Sequence, residues 1–396
     1  MISMTKRLYD TNSHLCHFQA HVLSCRPTDA QDPVSGYAVI LDQTAFFPGG
    51  GGQEADHGSL AGQCVLTCSE KKGIITHFVA DPIPEGLDIS GEIDWEFRFS
   101  NMQQHSGEHV LCAVLHNRFG VDNIGFHMGH AEVTLDVNGV FSPEELQEAE
   151  KEANAVVTRN LAFTVSYPDD ETLVHLSYRS KIEITDAVRI VTIAGADPDQ
   201  PLDRCACCAP HVLRSGEIGI IKILSSQHYK GGTRISILCG QRALEAANLY
   251  QKQVRLIDQL LSAVPENTFA SVQKLKEAEL QKKEQLVQTQ RRLIQVMAAQ
   301  TPAGTEPWIL FEDFEDPTSA REYVNLVTAR RDGPVALFLP RETGAYQYIL
   351  AIKSGSVKPL VQQLNAALQG RGGGSDAMAQ GTVRASKAEI EAFFNA

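Results

Sequence analysis

Two short motifs, far apart in the chain, set the strongest condition on how it can fold. His105-Ser-Gly-Glu-His109 places two imidazoles four residues apart, and Cys205-Ala-Cys207-Cys208-Ala-Pro-His211 adds thiols and a third imidazole. Residues 101–119 (NMQQHSGEHVLCAVLHNRF) predict a helix, on which positions i and i+4 share a face, so His105 and His109 can grip one metal ion. Pro201, Asp203 and Arg204 predict a loop for the Cys-rich stretch, with a strand from Val212 onward. Cys207 is the favoured thiolate because it forms Cys-x-x-x-His with His211, and Cys205 and Cys208 are the alternatives. A helix and a loop that together supply imidazoles and a thiolate suit one zinc per chain and point to a metal hydrolase. The helix is not of the zincin type, which needs Glu directly after the first His, where Ser106 stands. A site closed by four protein ligands leaves no position for water, so spacing alone leaves a catalytic and a structural ion both open.

Length and charge bound the setting. A chain of 396 residues with 43% apolar and 21% charged content has material for two or three globular domains. Its nine cysteines, with no N-terminal apolar segment and no apolar run of about 18 residues, predict a cytoplasmic protein without disulfides or membrane insertion. A net charge of −13 argues against wholesale nonspecific binding of nucleic acid, although local basic clusters can still steer a polyanion.

The hydrophobic pattern predicts an α+β protein in four parts. Residues 1–100 alternate short apolar runs (Gly36 to Leu41, Cys64 to Thr67, Ile74 to Val79) with turns, which predicts a small β barrel or folded sheet without a long helix. Residues 101–240 predict an α/β sandwich around the metal: the His105 helix, a strand from Ala131 to Val137, a charged helix, and strands at 188–193, 217–224 and 233–239. The charged helix opens at Ser142-Pro143-Glu144-Glu145, where Ser142 can cap, Pro143 fits the first turn and the acids complement the positive helix end. Residues 241–300 predict a helical hairpin. One seam runs through Ala243, Ala247, Tyr250, Val254, Ile257, Leu261 and Val264 until Pro265 ends the helix, and a second helix from about Thr268 to Ala299 carries a less regular stripe. The seam serves either a solvated hairpin or a homodimer contact. Residues 301–396 interleave strand-like runs (Trp308 to Phe311, Val335 to Leu339, Tyr346 to Ala351) with helical ones (Ser319 to Ala329, Lys358 to Leu368), a small α/β domain.

Two glycine runs invite a nucleotide-loop reading. Phe47-Pro48-Gly49-Gly50-Gly51-Gly52-Gln53 lacks the Lys-Ser/Thr pair of a phosphate-gripping loop and leads into further turn residues. Gly370 to Gly381 predicts a loop entering a helical turn, whose amides at Gly372, Gly373 and Gly374, beside Arg371, can meet an RNA phosphate. Lys282, Lys283, Arg291 and Arg292 supply cations on the preceding helix.

Taken together, these motifs resemble a family. Asp42-Gln-Thr44-Ala-Phe46-Phe47-Pro48, Gly51-Gly52-Gln53-Glu-Ala-Asp56-His-Gly58, His105-x-x-x-His109, Cys207-x-x-x-His211-Val212 and Gly216-Glu217-Ile218-Gly219 are similar, in order and spacing, to the editing half of alanyl-tRNA synthetases. Thr233-Arg234-Ile235, Cys239-Gly240-Gln-Arg242-Ala243 and Gly372-Gly373-Gly374-Ser-Asp376-x-Met378-Ala379-Gln380 resemble the C-terminal RNA-binding domain found in the same enzymes and in DHH-type phosphoesterases. Few residues precede the first motif, so the chain resembles a free-standing, long-form editing protein of the AlaX type.

The resemblance implies hydrolysis of the ester joining a wrong amino acid, chiefly serine and secondarily glycine, to tRNA(Ala). An alanine pocket cannot strongly exclude glycine, and an apolar pocket rejects an added hydroxyl by only about a hundredfold, so a second sieve is needed. It also implies that Thr44 reads the seryl hydroxyl, that Gly51, Gly52 and Gln53 border the reacting ester, and that His127, in Gly125-Phe126-His127-Met128-Gly129, stands where many editing domains have Gln. Zinc on His105, His109 and Cys207 would polarise the ester or activate water, with His211 as fourth ligand or proton carrier. Cys-Cys-Ala-Pro-His replaces the family's Cys-Gly-Gly-Thr-His, which changes the loop's backbone contacts. A noncatalytic tRNA-binding factor with structural zinc, and a zinc hydrolase for a different aminoacyl-tRNA, are the competing readings.

Overall fold

The computed structural model describes residues 3–129, 132–180, 188–195, 197, 200–314, 316–341 and 344–395. They form a mixed α+β protein with several sheets and, among the described residues, eight helices. The chain divides into two compact units, Met1–Gln253 and Val254–Ala396. Ala131, the expected start of one strand, lies outside the described residues.

In the first unit six strands close a barrel in the order His17–Pro27, Tyr37–Leu41, Ile74–Val79, Gln63–Lys71, Gly58–Leu60, Asp88–Ile93. Alternation along these strands sends Phe18, Ala20, Val22, Val39, Leu41, Leu60, Val65 and Ile89 into one apolar core. Helix α1 (Trp95–Phe119) follows directly, capped at its start by Asp94, whose side chain accepts from Phe97 N, and ended by left-handed Gly120. It begins earlier than the 101–119 predicted, because Trp95, Glu96 and Phe97 continue the turn that Asp94 starts. Residues 101–115 are buried on every side, polar ones included.

One face of α1 meets an antiparallel sheet ordered Ile221–Tyr229, Gly232–Cys239, Val133–Val137, Asn123–Met128. Gly107 permits that approach, since a Cβ there would stand 2.3 Å from Cys239 Sγ. Gln104 makes the contact directional by donating to Cys239 O and accepting from Cys239 N, both at 2.8 Å. Helix α2 (Pro143–Arg159) opens with the expected Ser142 cap as a full capping box with Glu145. A three-stranded sheet, Phe163–Ser166, Ile190–Ile193 and Asp203–Ala206, and the short helix α3 (Asp170–His175) complete the region. Three local expectations are corrected here. Asp203–Ala206 pairs with Ile190–Ile193 as a strand, so Cys205 is not in a loop. Val212 onward leads to a 3-10 turn at Ser215–Ile218 instead of a strand, because Ser215 donates to Val156 O and accepts from Leu161 N. That turn also delays the next strand, expected from 217, to Ile221.

Helix α4 (Gly240–Leu261) runs from the first unit into the second. It stops short of the expected end at Pro265: Ser262 turns left-handed, and Pro265 opens a 3-10 turn that leads into α5 (Thr268–Ala299). Along the predicted seam Ala243 is buried, whereas Tyr250, Val254, Ile257 and Val264 are exposed. The second unit is built on a five-stranded sheet ordered Trp308–Phe311, Val335–Pro340, Tyr346–Ala351, Met378–Val383, Arg371–Gly374. Helices α6 (Pro317–Arg330), α7 (Lys358–Ala367) and α8 (Lys387–Asn395) accompany it. The expected loop entering a helical turn at 370–381 is instead a β-hairpin. Its glycines answer to packing: a Cβ on Gly372 or Gly381 would lie 2.5 or 2.4 Å from the hydroxyl of buried Tyr348.

Candidate metal centre

His105, His109, Cys207 and His211 converge so that one ligand atom from each lies within 4.8 Å of every other. Cys207 Sγ is 3.5 Å from His105 Nε2 and 3.4 Å from His211 Nε2. Tetrahedral zinc, with metal to ligand distances near 2.0–2.3 Å, sets its ligand atoms about 3.3–3.7 Å apart, so this donor set fits a small divalent ion. The three imidazoles are nearly inaccessible to solvent. Cys207 carries the remaining chemistry. Burial pushes its thiol up to about 12, so the metal-free sulfur keeps its proton at neutral pH and would release it to a bound cation. Cys205 is buried within its strand, and Cys208 is exposed with its sulfur toward Gly50 and Gly51, so Cys207 is the thiol that joins the group.

Two of the imidazoles are held from behind by neutral oxygens. His105 Nδ1 is 3.0 Å from Gln53 Oε1, and His211 Nδ1 is 3.0 Å from Ser106 Oγ, which also accepts from Val212 N at 3.2 Å. Gln53 Oε1, an acceptor, assigns the His105 proton to Nδ1 and turns its Nε2 lone pair toward the cluster, while the Ser106 hydroxyl fixes the orientation of the His211 ring. Ser106 thus has a positive role that its place in His-x-x-x-His did not reveal. Ser106→Ala should keep the fold and weaken zinc binding about 10–100-fold, measured by competition with a chromogenic chelator; unchanged affinity would make the hydroxyl a packing feature only.

The glycine loop lies against this cluster. Gly49, Gly50, Gly51 and Gly52 all take positive φ, and reciprocal bonds between Gly50 and Gln53 close the turn. A Cβ on Gly51 would reach His105 Cε1 at 4.0 Å, and one on Gly52 would strike Phe126 at 2.6 Å. Phe126 in turn packs on His105, with ring centres 5.0 Å apart. His127 follows Phe126 on the same strand, and alternation turns it to the opposite, exposed face, away from His105. Thr44 is fully buried. Its hydroxyl is 2.8 Å from His77 Nε2 and accepts from Phe46 N at 3.1 Å. On the other side of His211, Phe163 stacks on the ring with centres 5.9 Å apart, beside a cavity of about 370 Å³ lined by Tyr9, Asp10, Ser13, Arg189 and His211 among others. Arg189 pairs with Asp10 at 3.0 Å and donates to the carbonyls of Cys207 and Ala209, which fixes the Cys loop.

The predicted RNA contacts lie in the second unit. Lys282, Lys283, Arg291 and Arg292 are exposed on α5, Arg291 within 3.7 Å of Glu322. Arg371, Gly372, Gly373 and Gly374 form the exposed edge strand of its sheet. Among the described residues no helix is long and apolar enough to cross a membrane.

A barrel whose glycine loop lies against three buried histidines and one cysteine brings together a group that could hold one metal ion. The sequence comparisons make the class particular. The family described as "Threonyl and Alanyl tRNA synthetase second additional domain" matches residues 188–236. The alanyl-tRNA editing protein AlaX-L of Pyrococcus horikoshii is 28% identical over 98% of this chain and 96% of its own length. The alanyl-tRNA editing protein Aarsd1 of Rattus norvegicus is 26% identical over 97% and 96%. An alanine–tRNA ligase of Pyrobaculum aerophilum is 30% identical over 95% of this chain but only 42% of the ligase. Among solved structures, the C-Ala domain of Aquifex aeolicus alanyl-tRNA synthetase aligns at 15% identity over 23% of this chain and 87% of that chain, with a TM-score of 0.19. The chain is therefore similar, along nearly its whole length, to free-standing alanyl-tRNA editing proteins.

Proposed function

We propose that this protein is a zinc-dependent aminoacyl-tRNA deacylase that clears mischarged tRNA(Ala), with the seryl ester as its chief substrate and the glycyl ester as its second. The observation that carries the reading is the meeting of His105, His109, Cys207 and His211 under the Gly49–Gln53 loop, in a chain similar throughout to alanyl-tRNA editing proteins. Hydrolysis joins a water oxygen to the acyl carbon, breaks the bond from that carbon to the ribose oxygen and returns a proton to the ribose. When bound, zinc supplies Lewis acidity toward the ester and lowers the pKa of water. The protein's part is placement. Gln53 and Ser106 orient two imidazoles, Arg189 holds the Cys loop, and the loop at Gly51 and Gly52 borders the cluster without side chains. His211 Nε2 points at Cys207 Sγ, which favours a fourth-ligand role over proton transfer. Full closure by four ligands also favours a second reading, in which zinc holds the site and loop amides and tRNA hydroxyls position the water.

Thr44 is the serine reader in this proposal. His77 Nδ1 is 3.3 Å from Val39 O, so it donates there and leaves Nε2 to accept the Thr44 proton. Thr44 Oγ1 then offers its second lone pair to a seryl hydroxyl, a partner alanine lacks. Exposed cations on α5 and at Arg371 would hold the tRNA body through phosphates, and the exposed apolar seam of α4 would take a second copy of the chain. The decisive experiment is deacylation of Ser-tRNA(Ala), Gly-tRNA(Ala), Ala-tRNA(Ala) and Ser-tRNA(Ser) by the purified protein and its Thr44→Val variant. The first two should be hydrolysed, Ser-tRNA(Ser) and Ala-tRNA(Ala) spared, and the variant should lose about 1–3 kcal/mol of serine over alanine preference. Hydrolysis of Ser-tRNA(Ser) alone would move the activity to a different aminoacyl-tRNA, and hydrolysis of none would leave a tRNA-binding factor.

A further inference from the structure

Seven residues before His105, and so two turns earlier on the same face of α1, sits Arg98. It is completely buried, as is its partner Asp56. Arg98 Nε donates to Asp56 Oδ1 at 2.7 Å, and Nη2 donates both to Asp56 Oδ2 and, at 2.7 Å, to Ala45 O. Nη1 donates to Ser13 O at 3.1 Å. Asp56 is equally committed, because its Oδ2 also accepts from Phe47 N at 2.6 Å and its own amide donates to Phe47 O at 2.9 Å. Phe47 and Asp56 are the two ends of the glycine loop. The loop is therefore fastened to α1 at two levels, by Arg98 at its base and by the bond between Gln53 and His105 at its tip.

We infer that Arg98 and Asp56 are positioning residues of the hydrolytic site, setting the register of the glycine loop against the helix that carries His105 and His109; the inference rests on the deacylase reading for its catalytic consequence. The physical argument is one of direction. An ion pair taken wholly out of water recovers its desolvation cost only with excellent geometry, and an apolar pair of similar volume often serves stability as well or better. What the forked guanidinium adds is orientation: four named acceptors in three separate segments, Ser13, Ala45 and Asp56, must all sit correctly around one rigid plane. A misplacement on the order of 1 Å at a reacting group costs about a hundredfold in rate, and four glycines at positive φ have no side chains with which to locate themselves.

The test uses the full-length, zinc-loaded protein with Asp56→Asn, Arg98→Lys and the apolar double variant Asp56→Leu/Arg98→Met. For each, single-turnover deacylation per folded molecule, zinc affinity by chelator competition and melting temperature are measured. Expected are a fall of tenfold or more in kcat with KM within about threefold, and zinc binding weaker by about tenfold as Gln53 loses its hold on His105. The double variant separates positioning from stability, since it should melt near the parent and still be slow. Parental rates and zinc affinity in the folded variants, with only a lower melting temperature, would overturn the proposal. If the parent hydrolyses no aminoacyl-tRNA, the deacylase reading fails by itself; weakened zinc binding in the variants would still support the clamp, and unchanged zinc binding would end it.

Discussion

Cys207→Ala is expected to lose its zinc and to slow hydrolysis of Ser-tRNA(Ala) by about a thousandfold or more, as are His105→Ala and His109→Ala. The size follows from the several kcal/mol that a metal ion contributes at a reacting carbonyl, each 1.4 kcal/mol or so being tenfold in rate. Cys207 is the most telling position, because its sulfur lies 3.5 and 3.4 Å from His105 Nε2 and His211 Nε2, while the neighbouring thiols of Cys205 and Cys208 lie outside the group. Elemental analysis and circular dichroism accompany the rate measurement, since losing a structural metal also costs folding free energy. A folded Cys207→Ala protein that keeps one zinc per chain would shift the thiolate to Cys205 or Cys208. A zinc-free protein with the parental rate would remove the metal from the reaction.

The cluster was legible in the sequence because its constraints are local: i and i+4 on a helix share a face wherever the helix goes, and the loop from Cys207 to His211 is short enough to keep thiol and imidazole near each other. The shell around it was not. Ser106 reads as the residue that spoils a zincin motif, and only the fold, by bringing Val212 beside it, shows it holding His211. Gln53 could be placed near the site by resemblance, but not against His105 Nδ1 in particular. Arg98 drew no reading from the sequence, because its burial depends on Asp56, Ala45 and Ser13, three partners that no periodicity joins to it. Phe126 rather than His127 meets the cluster because the strand Asn123–Met128 turns its alternation that way, a choice of register set by pairing with Val133–Val137. The hairpin at Arg371–Gly374 and Met378–Val383 was hidden for a related reason: glycines that make room for Tyr348 look the same in a sequence as glycines that make a loop.

Acid should destabilise the first unit through His77, by about 3 kcal/mol between pH 6.5 and 4. Burial inside the barrel lowers this imidazole from an ordinary 6.5 to about 4, and its bond to Val39 O offsets little of that. Between those two values the unfolded chain binds a proton at His77 that the folded chain refuses, so stability rises with pH across the window. It is fully present above 6.5 and falls away as pH drops toward 4, at about 1.4 kcal/mol for each pH unit. Protonation would also take away the Nε2 lone pair that receives the Thr44 hydroxyl, 2.8 Å away, leaving two donors facing each other between two fully buried residues. The measurement is denaturant unfolding of zinc-free parent and His77→Gln at intervals from pH 4 to 7.5, so that the cluster histidines titrate alike in both and cancel. The variant should show a flatter profile, the difference in unfolding free energy changing by about 3 kcal/mol across the window. Parallel profiles would mean that His77 takes up its proton as readily folded as unfolded. Thr44 would then be free to turn its own proton toward a substrate oxygen, and its assignment as a pure acceptor for serine would fall with that result.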